Sequence, residues 1–194
     1  MKKFLLLAGV ACLFAANAQA EVSQYVSGKI SYDFNKIKVK SNFMPTQKMD
    51  KNTFASHVAY GARAGYVRGE IELNDSLNIK KKIQGINTKL YKHSLMANAY
   101  FDYLTCTPWT PYVGAGIGAA YLKYNVARGA EKKTVYNFAW QVMGGVTYDI
   151  NSNWALDAGY RYADLGQIRK NRDGHTAKFK VRDHEILLGA RYTF

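Results

Sequence analysis

Cysteine is almost absent: only Cys12 and Cys106 occur in 194 residues. Cys12 lies in an amino-terminal apolar run, so Cys106 is left alone. That excludes an internal disulfide and a cysteine metal cluster. Proline occurs three times and histidine four times, and acids are outnumbered, with 14 Asp and Glu against 27 Lys and Arg. Beyond residue 20 no stretch approaches the ~18 consecutive apolar residues of a membrane-spanning helix.

What is present is aromatic, basic and alternating. The chain is 48% hydrophobic, with 15 Tyr, 9 Phe and 3 Trp. Lys2 and Lys3, the apolar run Phe4 to Ala16, and the small-x-small site Ala18-Gln19-Ala20 read as a secretory signal peptide over residues 1–20, cut before Glu21. Lipoprotein processing at Cys12 is the weaker alternative, because Gly9 sits where a leucine is usual. The domain then covers residues 21–194. Removing Lys2 and Lys3 leaves 25 Lys and Arg against 14 Asp and Glu, a net charge of +11.

At the end of the chain His184, Ile186, Leu188, Ala190, Tyr192 and Phe194 share one face of a strand, and Asp183, Glu185, Leu187, Gly189, Arg191 and Thr193 share the other. An apolar face opposed by mid-strand charges suggests a barrel with lipid outside and polar groups within. The same alternation recurs in segments near Gln24 to Phe34, Phe54 to Tyr66, Glu70 to Ile79, Leu90 to Leu104, Pro111 to Val126, Tyr136 to Ile150 and Trp154 to Ile168. Eight strands result. Short turns at 67–69, 105–110 and 151–153 alternate with long or charged loops at 35–52, 80–88, 128–134 and 169–180, as in an all-β, eight-stranded antiparallel up-and-down transmembrane β-barrel. An even strand count returns both termini to one side, expected to be periplasmic. In the fifth strand Gly114, Gly116 and Gly118 face inward, leaving room for bulky neighbours to fill the lumen.

Three segments, Tyr112-Val113-Gly114-Ala115-Gly116-Ile117-Gly118, Leu156-Asp157-Ala158-Gly159-Tyr160-Arg161-Tyr162 and Leu188-Gly189-Ala190-Arg191-Tyr192-Thr193-Phe194, resemble the opacity-protein and OmpA-like family of eight-stranded outer membrane barrels. The similarity spans residues 21–194. It implies insertion by the barrel assembly machinery through the terminal aromatic strand, with Tyr192 and Phe194 as the signal, and surface loops that in some members contact host molecules. No appended peptidoglycan-binding domain is recognised, so tethering of that kind is not implied.

The inward charges form the most informative residue set. Arg63 and Glu72 are equidistant from a turn at Val67-Arg68-Gly69, and Asp157 and Arg191 from Gly174, so each pair is expected to face its partner across a hairpin. Asp102, Arg161 and Glu185 join them as lumen charges. An eight-stranded barrel is just wide enough for side chains to fill, so these charges read as a plug, with a narrow channel as the alternative. A lipid-modifying enzyme is a second alternative, yet no histidine has Ser or Thr two residues away on one strand face. His93 and Ser94 should point to opposite faces, and His57 and His184 are expected on the lipid side. A constellation built between strands stays open. No catalytic residue, cofactor or metal is expected, and Gly114 to Ala119 fails as a nucleotide loop because Ala119 replaces the third glycine and no helix follows.

The loops carry the excess charge: Lys80, Lys81 and Lys82; Lys132 and Lys133; Arg169, Lys170 and Arg172. Lipopolysaccharide phosphates would be satisfied by such a rim, and anionic host glycans or matrix proteins are the sharper partner. Nucleic acid is disfavoured by export. Tyr32, Phe101, Trp109, Tyr148, Trp154, Tyr192 and Phe194 are expected at the interfacial or lipid-facing belts. The expectation is a monomeric, non-enzymatic outer membrane protein of a Gram-negative bacterium. It would give envelope structure and adhesin-like surface contact.

Overall fold

The computed structural model describes residues 22–41, 44–83, 86–126, 130–172 and 175–194. The expected signal peptide lies outside them. Eight strands, β1 (Val22–Ser41), β2 (Met44–Ala64), β3 (Val67–Ile83), β4 (Ile86–Asp102), β5 (Trp109–Val126), β6 (Ala130–Asp149), β7 (Trp154–Arg172) and β8 (His175–Thr193), close into one antiparallel barrel in chain order. β1 and β8 complete the ring, with Tyr25 opposite Thr193 and Tyr32 opposite Ile186.

Parity decides which side chain meets which solvent. Ile30, Val113 and Leu188 are each more than half exposed on the outer wall, whereas Ser31, Tyr100, Asp157 and Arg191, from the opposite parity, are buried. That is an inverted core, polar within and apolar without, and it suits a lipid surround. Rings gather at two heights. At the end bearing the short turns, Tyr66 stacks with Phe101 at 6.1 Å, Trp109 meets Tyr148 at 4.7 Å and Trp154 meets Tyr192 at 5.0 Å. At the other height Tyr32 meets Phe54 at 5.1 Å and Trp140 meets Tyr162 at 5.6 Å.

Two boundaries differ from expectation. The segments read as long loops continue as paired strand, with Asn35 opposite Lys51, Lys81 opposite Thr88 and Arg169 opposite Lys178. Backbone pairing carries on into water once a hairpin is started, because each residue added to the ladder closes further hydrogen bonds without reopening the turn. Strands of 17 to 21 residues exceed the ~9–11 that cross a bilayer, so four hairpins stand clear of one membrane face. The first short turn also sits earlier than Val67-Arg68-Gly69. It is made by Gly65, at φ +58°, and Tyr66, with Ala64 opposite Val67. Glycine enters the left-handed region without the cost of a Cβ.

Inward glycines do make space for neighbours. Tyr100 pairs with Gly114, Asn98 with Gly116 and Met96 with Gly118, and a Cβ on any of the three would fall on the partner side chain. Gly61 likewise lies beneath the Tyr25 ring, and Gly145 and Gly159 beneath Tyr112.

Candidate functional site

The lumen is crossed by stacked polar layers, each assembled from several strands. Nearest the short turns, Arg191 Nη2 donates to Asp157 Oδ1 at 2.8 Å and to Thr147 Oγ1 at 2.8 Å, and the Thr147 hydroxyl donates to the same carboxylate at 2.6 Å. Beside it Arg68 grips both oxygens of Asp102, at 2.8 and 2.9 Å, with its guanidinium 4.4 Å from the Tyr100 ring centre. Planar two-point contact of this kind is the strong form of an ion pair.

Above these, Glu70 accepts from Tyr100 at 2.8 Å, Lys29 at 2.9 Å and Tyr25 at 3.1 Å. Glu72 faces Lys29 at 3.1 Å and Arg161 at 2.9 Å, and Arg161 reaches on to Glu185 at 3.3 Å. Glu72 is completely buried and Arg161 is 1% exposed. Two buried charges cost several kcal/mol each to desolvate, on the order of magnitude known for buried pairs. They persist here because each carboxylate has several donors.

Next comes a cavity of about 30 Å³, room for about two waters, between the carboxylates of Asp33, Asp183 and Glu185 and the apolar wall of Ala120, Ala163 and Leu165. A serine, a histidine and an acid meet at its edge. His57 Nε2 lies 2.9 Å from Ser31 Oγ, the Ser31 hydroxyl donates to Asp33 Oδ1 at 2.6 Å, and His57 Nδ1 lies 2.6 Å from the Asn74 side-chain amide. Asn74 Oδ1 takes the Nδ1 proton, so a neutral His57 turns Nε2 toward Ser31 as an acceptor, and the single Ser31 proton faces two acceptors, His57 Nε2 and Asp33 Oδ1.

Several expected positions need correction. Arg63 does not face Glu72: the earlier turn sets Arg63 opposite Arg68 and Glu72 opposite Ala59. Arg63 sits at the rim, 28% exposed by its side chain and 3.8 Å from Asp102. Asp157 lies opposite Gly189, not Arg191, and the two meet diagonally at 2.8 Å. His57 points into the lumen and is buried, while His184 keeps the outward face beside Tyr160. The parity that puts Val58 and Tyr60 outside carries His57 inside.

Lys29, Arg68, Glu70, Tyr25 and Tyr100 were not among the expected lumen ion pairs. Lys29 and Glu70 had the right parity as their signal, and Arg68 was hidden by its assignment to the turn. The side chains of Lys80, Lys81, Lys82, Lys132, Lys133, Arg169, Lys170 and Arg172 lie outside the described residues; their backbone belongs to β3, β6 and β7.

Comparison with known proteins agrees with this architecture. Residues 4–194 match the family model described as outer membrane protein beta-barrel domain. A protein of Brucella abortus is 41% identical over 113 residues, which are 52% of this chain and 38% of that one. Outer membrane protein PagN of Salmonella typhimurium is 34% identical over 118 residues, 51% of this chain and 48% of PagN. The chain thus spans half or less of these two curated relatives. Opacity protein opA67 of Neisseria gonorrhoeae is 24% identical over 195 residues, 85% of this chain and 75% of that protein.

Among solved structures, Neisserial surface protein A superposes with a TM-score of 0.66 at 24% identity, covering 90% of this chain and 99% of that one. Ail, the attachment invasion locus protein of Yersinia pestis, solved with the heparin analogue sucrose octasulfate, gives 0.50 at 18% identity, covering 87% and 99%. These likenesses concern the fold. The family match over residues 4–194 and the outer membrane relatives place the protein in the outer membrane of a Gram-negative bacterium, and the chain belongs to the outer membrane protein β-barrel domain family.

Proposed function

We propose that the protein is a non-enzymatic, adhesin-like scaffold that presents basic hairpins to anionic glycans at the cell surface. The observation that carries this reading is the concentration of cations in the hairpins that stand clear of the membrane, among them Lys80, Lys81 and Lys82 in β3 and Arg169, Lys170 and Arg172 in β7. In this reading residues 1–20 are the export signal, both termini lie in the periplasm and the hairpins lie outside. Tyr192 and Phe194 are the signal read by the barrel assembly machinery, and the barrel works as a monomer in contact with lipopolysaccharide.

The lumen supports a scaffold over a channel, because Lys29, Glu70, Glu72 and Arg161 bridge it from three strands. It also supports a scaffold over a hydrolase, since Ser31 and His57 are buried beside a cavity of about 30 Å³, too small for an acyl chain. The heparin analogue seen on Ail, a barrel of like fold, is the chemistry such hairpins would take.

Attachment of cells displaying the protein to immobilised heparin tests this. The triple variant Lys80→Glu, Lys81→Glu, Lys82→Glu should attach several-fold less well, and wild-type attachment should weaken as salt is raised, since exposed charges are screened beyond a Debye length of about 8 Å at physiological ionic strength. Equal attachment of both proteins would refute the reading.

A further inference from the structure

At the hairpin end of the membrane wall, β6, β7 and β8 set a guanidinium, an imidazole and three rings side by side, none of them used by the lumen. Arg182 and His184 are two apart on β8 and share its outward side, roughly 7 Å from each other along the strand. Register puts Asp164 opposite Arg182, Tyr162 opposite His184, and Trp140 opposite Asp164. The His184 ring packs edge-on to Tyr162 at 5.1 Å, and Tyr162 lies against Trp140 at 5.6 Å.

Two geometric details leave donors facing outward. The Tyr160 hydroxyl lies 2.5 Å from His184 Nδ1. A tyrosine donating there leaves His184 with its proton on Nε2, a donor with no partner among the described residues. Arg182 meets Asp164 through Nε alone, at 3.4 Å, while the Gly166 N–H, at a β7 bulge where φ is +85°, holds the other Asp164 oxygen at 3.0 Å. That Nε contact is long for a charge-assisted bond. The terminal amino groups of Arg182 have no partner among the described residues, and its side chain is 39% exposed.

The height of this cluster identifies what it meets. Arg182 lies eleven residues from Thr193 along β8, and a strand crosses the bilayer in about 9–11 residues, so the cluster stands where acyl chains give way to headgroups. An aromatic belt alone would offer rings and no cation. Here a guanidinium whose two terminal amino groups have no partner among the described residues matches the oxygen pair of a phosphate.

We propose that this wall binds the phosphorylated sugar headgroup of an outer-leaflet glycolipid. Arg182 holds the phosphate through its terminal amino groups, His184 donates from Nε2, and Trp140 and Tyr160 lie against the sugar and the roots of the acyl chains. The proposal rests on the lipopolysaccharide contact and the orientation given above, and it locates that contact on the wall, away from the lysine hairpins.

Native mass spectrometry of the folded barrel in detergent tests it, with bisphosphorylated lipid A, dephosphorylated lipid A and phosphatidylglycerol as probes. Wild type should retain the bisphosphorylated form preferentially. Arg182→Gln and His184→Phe should each lower retention several-fold, and the double variant by about tenfold or more, as loss of hydrogen bonds to a charged group implies. His184→Phe keeps a ring edge-on to Tyr162, and heat-modified gel migration confirms that each variant is folded. Retention by the double variant at the wild-type level overturns the proposal, as does equal retention of dephosphorylated lipid A or of phosphatidylglycerol. Loss only in the Lys80→Glu, Lys81→Glu, Lys82→Glu variant would move the contact to the hairpins and overturn this site while keeping lipopolysaccharide as a partner. No retention by wild type would overturn both.

Discussion

Glu72 is the residue on which the lumen turns. It is fully buried and bridges Lys29 of β1 to Arg161 of β7, which itself continues to Glu185 of β8. Glu72→Gln keeps the shape and removes the charge, leaving Lys29 with Glu70 and Arg161 with Glu185 but taking away the carboxylate that the two cations share in a low-dielectric interior. Breaking a buried pair from one side costs about 3–5 kcal/mol, and urea unfolding of the barrel in micelles should show a loss of that size. Removing Arg161 as well should recover part of it, because the two residues act as one unit. A Glu72→Gln protein as stable as wild type would mean that water, not protein, balances these charges.

At the scale of elements, β5 shows why backbone pattern and side-chain packing must agree. Its inward glycines are the floor on which Tyr100, Asn98 and Met96 of β4 lie. Gly116→Val would place a branched side chain onto Asn98, which also accepts from Gln141 at 2.7 Å, and overpacking of this kind costs about 1–3 kcal/mol. Gly28 of β1 has nothing within 4 Å of an added Cβ, so Gly28→Ala should leave stability within about 0.5 kcal/mol, the range of substitutions away from packed features. Equal effects at the two positions, measured by the same unfolding assay, would refute the packing account.

Elements also mark what a sequence can and cannot disclose. Which face of a strand is greasy depends on spacing of two, so the lipid face of β8 and the inward glycines of β5 are legible from local residues alone. Register is not. Gly65 turns the chain where Val67-Arg68-Gly69 had been the expected turn, and Glu72 gains Ala59 as its opposite neighbour in place of Arg63. The Lys29, Glu72 and Arg161 contacts join strands that are not consecutive in the chain. They depend on how the closed sheet is sheared, which no hairpin rule reports. Ser31 meets His57 within the β1–β2 hairpin, but only through its register, which sets Lys29 opposite His57 and Ser31 opposite Ala55.

For the molecule as a whole, everything follows from the inverted solvent arrangement: lipid on the outer wall, charge within, and paired hairpins continuing beyond one face of the membrane. A net charge of +13 over 194 residues is then compatible with membrane insertion, because the transmembrane part of the wall is apolar and the buried cations are matched by carboxylates. The most direct test places spin labels one at a time at Ile186, Leu187, Leu188, Gly189 and Ala190 of β8 in reconstituted bilayers, and measures collision with oxygen, which concentrates in lipid, and with a water-soluble nickel chelate. The account predicts high oxygen accessibility at 186, 188 and 190 and low accessibility at 187 and 189. Collision with the nickel chelate at the even positions, or no alternation at all, would contradict it.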